Sequence, residues 1–116
     1  MLALKQPRGA ERRIIAYALT DTGGQVDHTL DAVRRLIEAQ GHTVIHELTD
    51  VRAPHALRRR PHWREARRLI ASGFADGVAV LNRDALSIRD DEYEEEVAWF
   101  GERPALLLLV ISEAAP

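Results

Sequence analysis

Short apolar runs alternate with segments in which apolar residues recur every three or four positions, and this alternation constrains the fold more than any other feature of the chain. The first run, residues 14–19 (IIAYAL), is unbroken, as a strand covered on both faces by helices requires. It leads through Thr20, Asp21, Thr22, Gly23 and Gly24 into a stretch where Val26, Leu30, Val33 and Ile37 fall at helical spacing, and Gly41 stands where a helix C-terminus needs it. Further strands are expected over residues 43–48 (TVIHEL), 77–82 (GVAVLN) and 105–111 (ALLLLVI), the last of them fully buried. Pro61, Trp63, Ala66 and Ile70 predict a second helix that stops at Gly73. Residues 90–100, acidic in their first turn, predict a third, with Tyr93, Val97 and Phe100 on one side. The order β-α-β-α-β-α-β predicts a three-layer α/β sandwich, a mainly parallel four-stranded sheet with Rossmann-like topology, helices on both faces and right-handed crossovers.

At 116 residues with 46% apolar content the chain fits one domain, over residues 12–116, behind a loose arm over residues 1–11 that carries Pro7 and Gly9 and no apolar period. The longest apolar run is far shorter than a bilayer crossing, and residues 1–13 lack the apolar segment of a signal peptide. With no cysteine, disulfides and thiolate metal sites are excluded, and the expected location is the cytoplasm, away from membranes. A net charge of −2 selects no partner.

In a sheet of this kind the carboxyl ends of the strands share one rim, which gathers Asp21, Thr22, Asp50, Asn82, Arg83 and Asp84. Carboxylates and an arginine there suit Mg²⁺ or phosphate; the same residue types also follow strands simply because they cap helices and make turns. His42 and His46 lie too far apart along a strand to hold one metal, and neither a metal nor a cofactor is expected. Arg58, Arg59, Arg60, Arg64, Arg67 and Arg68 crowd into eleven residues, with Arg60, Arg64, Arg67 and Arg68 able to share the outer side of the second helix. They match a phosphate-backbone footprint, or else a solvated face balanced by Asp90, Asp91, Glu92, Glu94, Glu95 and Glu96 of the same chain or of a neighbouring copy in a homodimer.

Taken together, residues 12–111 resemble the N-terminal catalytic domain of the serine recombinases, the resolvase and invertase family. That family opens on a strand reading Tyr-x-Arg-x-Ser with a Gln shortly after, and Tyr17 and Gln25 match. Asp50 matches the acidic end of a later strand, Arg60 and Pro61 the pair that opens the next helix, and Asp84, Leu86, Ser87 and Arg89 the Asp-Arg-Leu-Ser-Arg motif, with Ile88 as an insertion. The resemblance and the switch-point rule together place the first strand between the second and third. The family attacks a DNA phosphodiester with its serine hydroxyl while arginines stabilise the phosphate charge. Here Asp21 stands at the serine position, Leu19 and Ala85 stand at two arginine positions, and only Thr20 or Thr22 offers a hydroxyl nearby. The resemblance therefore implies a domain that has lost strand exchange and contacts DNA weakly and without sequence preference. It covers neither the long dimerisation helix nor the separate DNA-binding domain of family members. The run from Thr20 to Gln25 also resembles the phosphate-binding loop of flavodoxins, which implies a flavin or nucleotide phosphate at residues 20–24.

Overall fold

The computed structural model describes residues 11–21, 26–53 and 56–112. Strand β1 (Arg13–Thr20) is followed by helix α1 (Val26–Ala39), strand β2 (Thr43–Val51), a 3-10 turn (Leu57–Arg59), helix α2 (Pro61–Ala71), strand β3 (Gly77–Val80), a second 3-10 turn (Arg83–Ala85), helix α3 (Asp90–Glu102) and strand β4 (Leu106–Leu109). Every strand pair is parallel, and the order β2-β1-β3-β4 puts β1 between β2 and β3, as expected. The direction of winding reverses between β1 and β3, so Asp21 and Asp84 follow neighbouring strands at the switch point.

The two-residue period of β1 divides the core. Ile15 and Tyr17 pack with Trp63, Ala66 and Ile70 of α2 and with Tyr93 and Phe100 of α3, whereas Ile14, Ala16 and Ala18 meet Leu30, Val33 and Ile37 of α1. Trp63 is the centre of the first layer, 5.0 Å edge-on from Tyr17 and 6.0 Å from Phe100 between ring centroids. Gly41 and Gly73 end α1 and α2 at positive φ (82° and 86°), the backbone geometry for which glycine is suited. Gly77 meets a different need: a Cβ there would lie 2.4 Å from the Leu106 carbonyl oxygen, so a side chain would push β4 away from β3. Below the same strands Asp76 takes the Arg13 backbone N–H at 2.7 Å and its guanidinium at 3.0 and 3.1 Å, clamping the start of β1 to that of β3.

Several expectations are corrected. Strand β4 is not fully buried: Leu106–Leu109 are half-buried and Ile111 is 56% exposed. The strand lies at the sheet edge, and α1 packs on β1, β2 and β3 instead. On α3 the inward residues are Tyr93, Glu96 and Phe100, and Val97 is 40% exposed, because Glu96 finds polar partners inside. Strand β2 extends to Val51, since the ladder to β1 continues through Leu19–Asp50 and Thr20–Val51, while β3 stops at Val80. Among the described residues no helix is long and apolar enough to cross a membrane.

Candidate functional site

The rim above β1 and β2 is built around Asp50. It is only 6% exposed, and its carboxylate accepts bonds from the Tyr17 hydroxyl (2.8 Å) and from the backbone N–H groups of His62 (3.1 Å) and Trp63 (2.9 Å). Helix α2 starts at Pro61 with no side-chain cap from Arg60, so its first N–H groups have no partner within the helix. Asp50 supplies that cap from the neighbouring strand and also sits at the positive end of the helix dipole. Burial pushes the Tyr17 phenol well above the usual tyrosine range against the opposing pull of Arg60, so it stays a neutral donor to Asp50.

Arg60 turns inward across the same rim. Its guanidinium donates to the carbonyls of Ala85 (2.6 Å) and Leu86 (2.8 Å), pinning the loop after β3 to the start of α2. Ser87 donates to Glu92 at 2.6 Å and accepts from the Arg89 N–H at 3.0 Å, and Glu92 also accepts the Leu57 N–H at 2.9 Å. Burial pushes the Glu92 carboxyl up, but the bonds from Ser87 and Leu57 with the charges of Arg89 and Arg60 outweigh it and hold the group below its usual range. Between these elements opens a cleft of about 640 Å³ whose charged lining includes Arg52, Arg60, Asp84 and Arg89.

The rim brings some of the motif positions together and not others. Asp84 and Arg89 line the cleft with Arg60, although Arg89 is exposed and paired with Asp91 at 2.9 Å. Asp21 is exposed and paired with Arg52 at 3.1 Å, and the Thr20 hydroxyl donates to the Asp21 carbonyl at 2.9 Å. Leu19 packs against the core and Ala85 is buried, so neither arginine position has a polar substitute. Thr22, Gly23, Gly24 and Gln25 lie outside the described residues, and with them the matching Gln and most of the flavodoxin-like loop. Asp21, Asp50 and Asp84 do not form a metal cage: among the described residues no group of three or more His, Asp or Glu side chains is placed to hold an ion. Arg52 is not singled out from sequence, and its place just past a strand end is the available signal; Ser87 reads there only as a motif match and Glu92 only as part of the acidic run.

The arginine cluster divides into three sets. Arg60 belongs to the rim. Arg58 pairs with Glu95 (3.5 Å) and Arg67 with the buried Glu96 (3.2 Å), so the acidic helix balances both within the chain. Glu96 in turn takes the Trp63 indole N–H at 2.9 Å. Arg68 pairs with Glu65 on its own helix (Nε to Oε1, 3.1 Å), and the side chains of Arg59 and Arg64 have no partner among the described residues. Between α2 and α3, Arg58, Arg64, Arg67 and Arg68 border an open groove of about 810 Å³, which Trp99 of α3 and Arg103 just past its end also line. The guanidinium carbons of Arg67 and Arg103 lie 4.2 and 4.0 Å from the Trp99 ring centroid. Burial holds the Arg67 guanidinium below the usual arginine range, and its buried Nε, 3.2 Å from the Glu96 carboxylate, meets it as an ion pair that is not aligned as a hydrogen bond.

This architecture is similar to that of the N-terminal catalytic domain of TP901-1 integrase, with a TM-score of 0.75 at 23% sequence identity over 85% of this chain and 77% of that one. It is also similar to the C-terminal catalytic domain of ISC1926 TnpA, an IS607-like serine recombinase, with a TM-score of 0.69 at 20% identity over 87% of this chain and 72% of that one. No protein-family model and no curated protein matches the sequence. At these identities the likeness is one of fold: the chain has the four-stranded parallel α/β architecture of recombinase catalytic domains.

Proposed function

We propose that this chain is a resolvase-like domain that has lost DNA strand exchange and serves in the cytoplasm as a DNA-associated regulatory or binding module. The observation that carries this reading is the use to which the rim puts its charges. Arg60, the matched arginine nearest the strand ends, is spent on the Ala85 and Leu86 carbonyls, and Asp50 is spent on capping α2. Transfer of a phosphodiester to a protein side chain builds charge on the phosphate oxygens, and a preorganised donor aimed at such a charge is worth roughly 10²–10³ in rate. With Leu19 and Ala85 at two arginine positions, two such donors are missing, and the Asp21 carboxylate that replaces the hydroxyl is engaged by Arg52. What is left is a folded surface that meets DNA through arginine contacts to phosphate, with a dissociation constant near or weaker than ~10⁻⁵ M at physiological salt.

Incubation with supercoiled DNA followed by denaturing electrophoresis tests the loss of chemistry. No protein-linked DNA band is expected. A linked band that disappears on Asp21→Asn, Thr20→Val or Thr22→Val would establish a working nucleophile and overturn the reading.

A further inference from the structure

The groove between α2 and α3 lies outside the rim and shares only Pro61 with the matched motif positions, and its charged lining is mostly arginine. Along α2, Pro61, Arg64, Arg68 and Ala71 recur at intervals of three and four and share the face that opens onto it. Trp99 near the end of α3 and Arg103, which caps that end, line the opposite wall. Its side chains differ in how firmly they are held. Arg67 is anchored from beneath by Glu96 and lies over Trp99, so it is part of the floor. Arg64 has no side-chain partner among the described residues, and the carboxylate partners of Arg68 (Glu65) and Arg103 (Glu102) are near neighbours in sequence, exposed pairs of the kind that contribute little.

We propose that this groove seats the phosphate backbone of a single nucleic-acid strand, with Arg64, Arg68 and Arg103 meeting phosphates and the Arg67–Trp99 pair forming the floor. The proposal rests on the DNA-associated reading above and names the form of nucleic acid. Single-strand sites pair a cationic groove that tracks the backbone with aromatic side chains, and here Arg64, Arg68 and Arg103 border one groove beside Trp99. Arg64 and Arg68, one helical turn apart, present a repeated cation along the direction a strand would run.

The test uses the full chain, a short fluorescein-labelled oligothymidylate, and anisotropy titrations over a range of salt. Three phosphate contacts at ~0.7 each predict a slope of log K against log salt of about −2. The combined variant Arg64→Gln, Arg68→Gln, Arg103→Gln should bind at least about tenfold more weakly with a slope near zero. Arg64→Glu alone should also weaken binding, and it removes no contact within the fold. Bound oligonucleotide should change the tryptophan emission of the wild type and not of Trp99→Phe, because Trp63 is fully buried. If the wild type binds and the arginine variants bind equally well, the groove is not the seat and DNA association stands on another surface. If neither single strand nor duplex binds the wild type, both the groove and the DNA-associated reading fall. Equal binding of the matching duplex would overturn the single-strand assignment, and equal competition by polyglutamate of the same charge would reassign the groove to an acidic peptide.

Discussion

Arg60 and Arg64 stand one helical turn apart at the start of α2, and they serve opposite ends. Arg60 points into the rim and holds two backbone carbonyls, whereas Arg64 faces the α2–α3 groove and holds nothing among the described residues. The contrast extends to the two regions. In the rim, Asp50, Arg60 and Glu92 are bonded to backbone groups that would otherwise be left without partners, so charge there is part of the scaffold. In the groove Arg67 is anchored on the buried Glu96, Arg58, Arg68 and Arg103 hold exposed carboxylates, and Arg64 has no side-chain partner among the described residues. Asp50 and Arg60, two of the positions matched to the recombinase motif, are therefore bonded to the fold's own backbone.

The largest effect that separates the regions should come from Asp50→Ala. It leaves the buried Tyr17 hydroxyl and two N–H groups of α2 without an acceptor, and a loss of about 3–4 kcal/mol is expected in urea denaturation. Asp50→Asn, which keeps an acceptor, should lose roughly half as much. A loss below about 1 kcal/mol for Asp50→Ala would show that the rim is not scaffold. Next comes Arg60→Met, for which the same measurement should show a loss of about 2 kcal/mol. Arg60→Lys should not restore it, because an ammonium cannot reproduce the planar fork that reaches both carbonyls.

A smaller effect is expected with pH. Asp76, bonded by Arg13, and Glu92 both titrate below their usual ranges in the fold. A folded-state value below the unfolded one means that the unfolded chain binds protons first, so the stabilisation is complete above about pH 5 and fades as pH falls through 4. Asp76→Asn should remove on the order of 1 kcal/mol at neutral pH and flatten part of this acid decline in denaturation midpoints. An unchanged acid profile would argue against the clamp between β1 and β3. Smallest of all is Arg64→Gln, whose stability should match the wild type within about 0.5 kcal/mol. A larger loss would place Arg64 with the scaffold and erase the difference from Arg60.

The succession of strands and helices, the start of α2 at Pro61 and the ends of α1 and α2 at Gly41 and Gly73 were legible in the sequence. Each is written by residues within a turn or two of one another, through apolar period, fixed proline φ and glycine's tolerance of positive φ. The position of β1 beside β3 followed from the resemblance together with the switch-point rule. The partners of the polar groups did not follow, because they join residues far apart in the chain: Tyr17 with Asp50 and Trp63 with Glu96 are each separated by 33 positions. Whether Arg60 serves a phosphate or two carbonyls, and whether Glu96 or Val97 turns inward, depends on which acceptors and donors the packed layers bring within reach. The same holds for β4, whose apolar run reads as buried on both faces. Its half-exposure comes from its place at the sheet edge, where a strand has a neighbour on one side only, while α1 makes its main contacts with β1, β2 and β3.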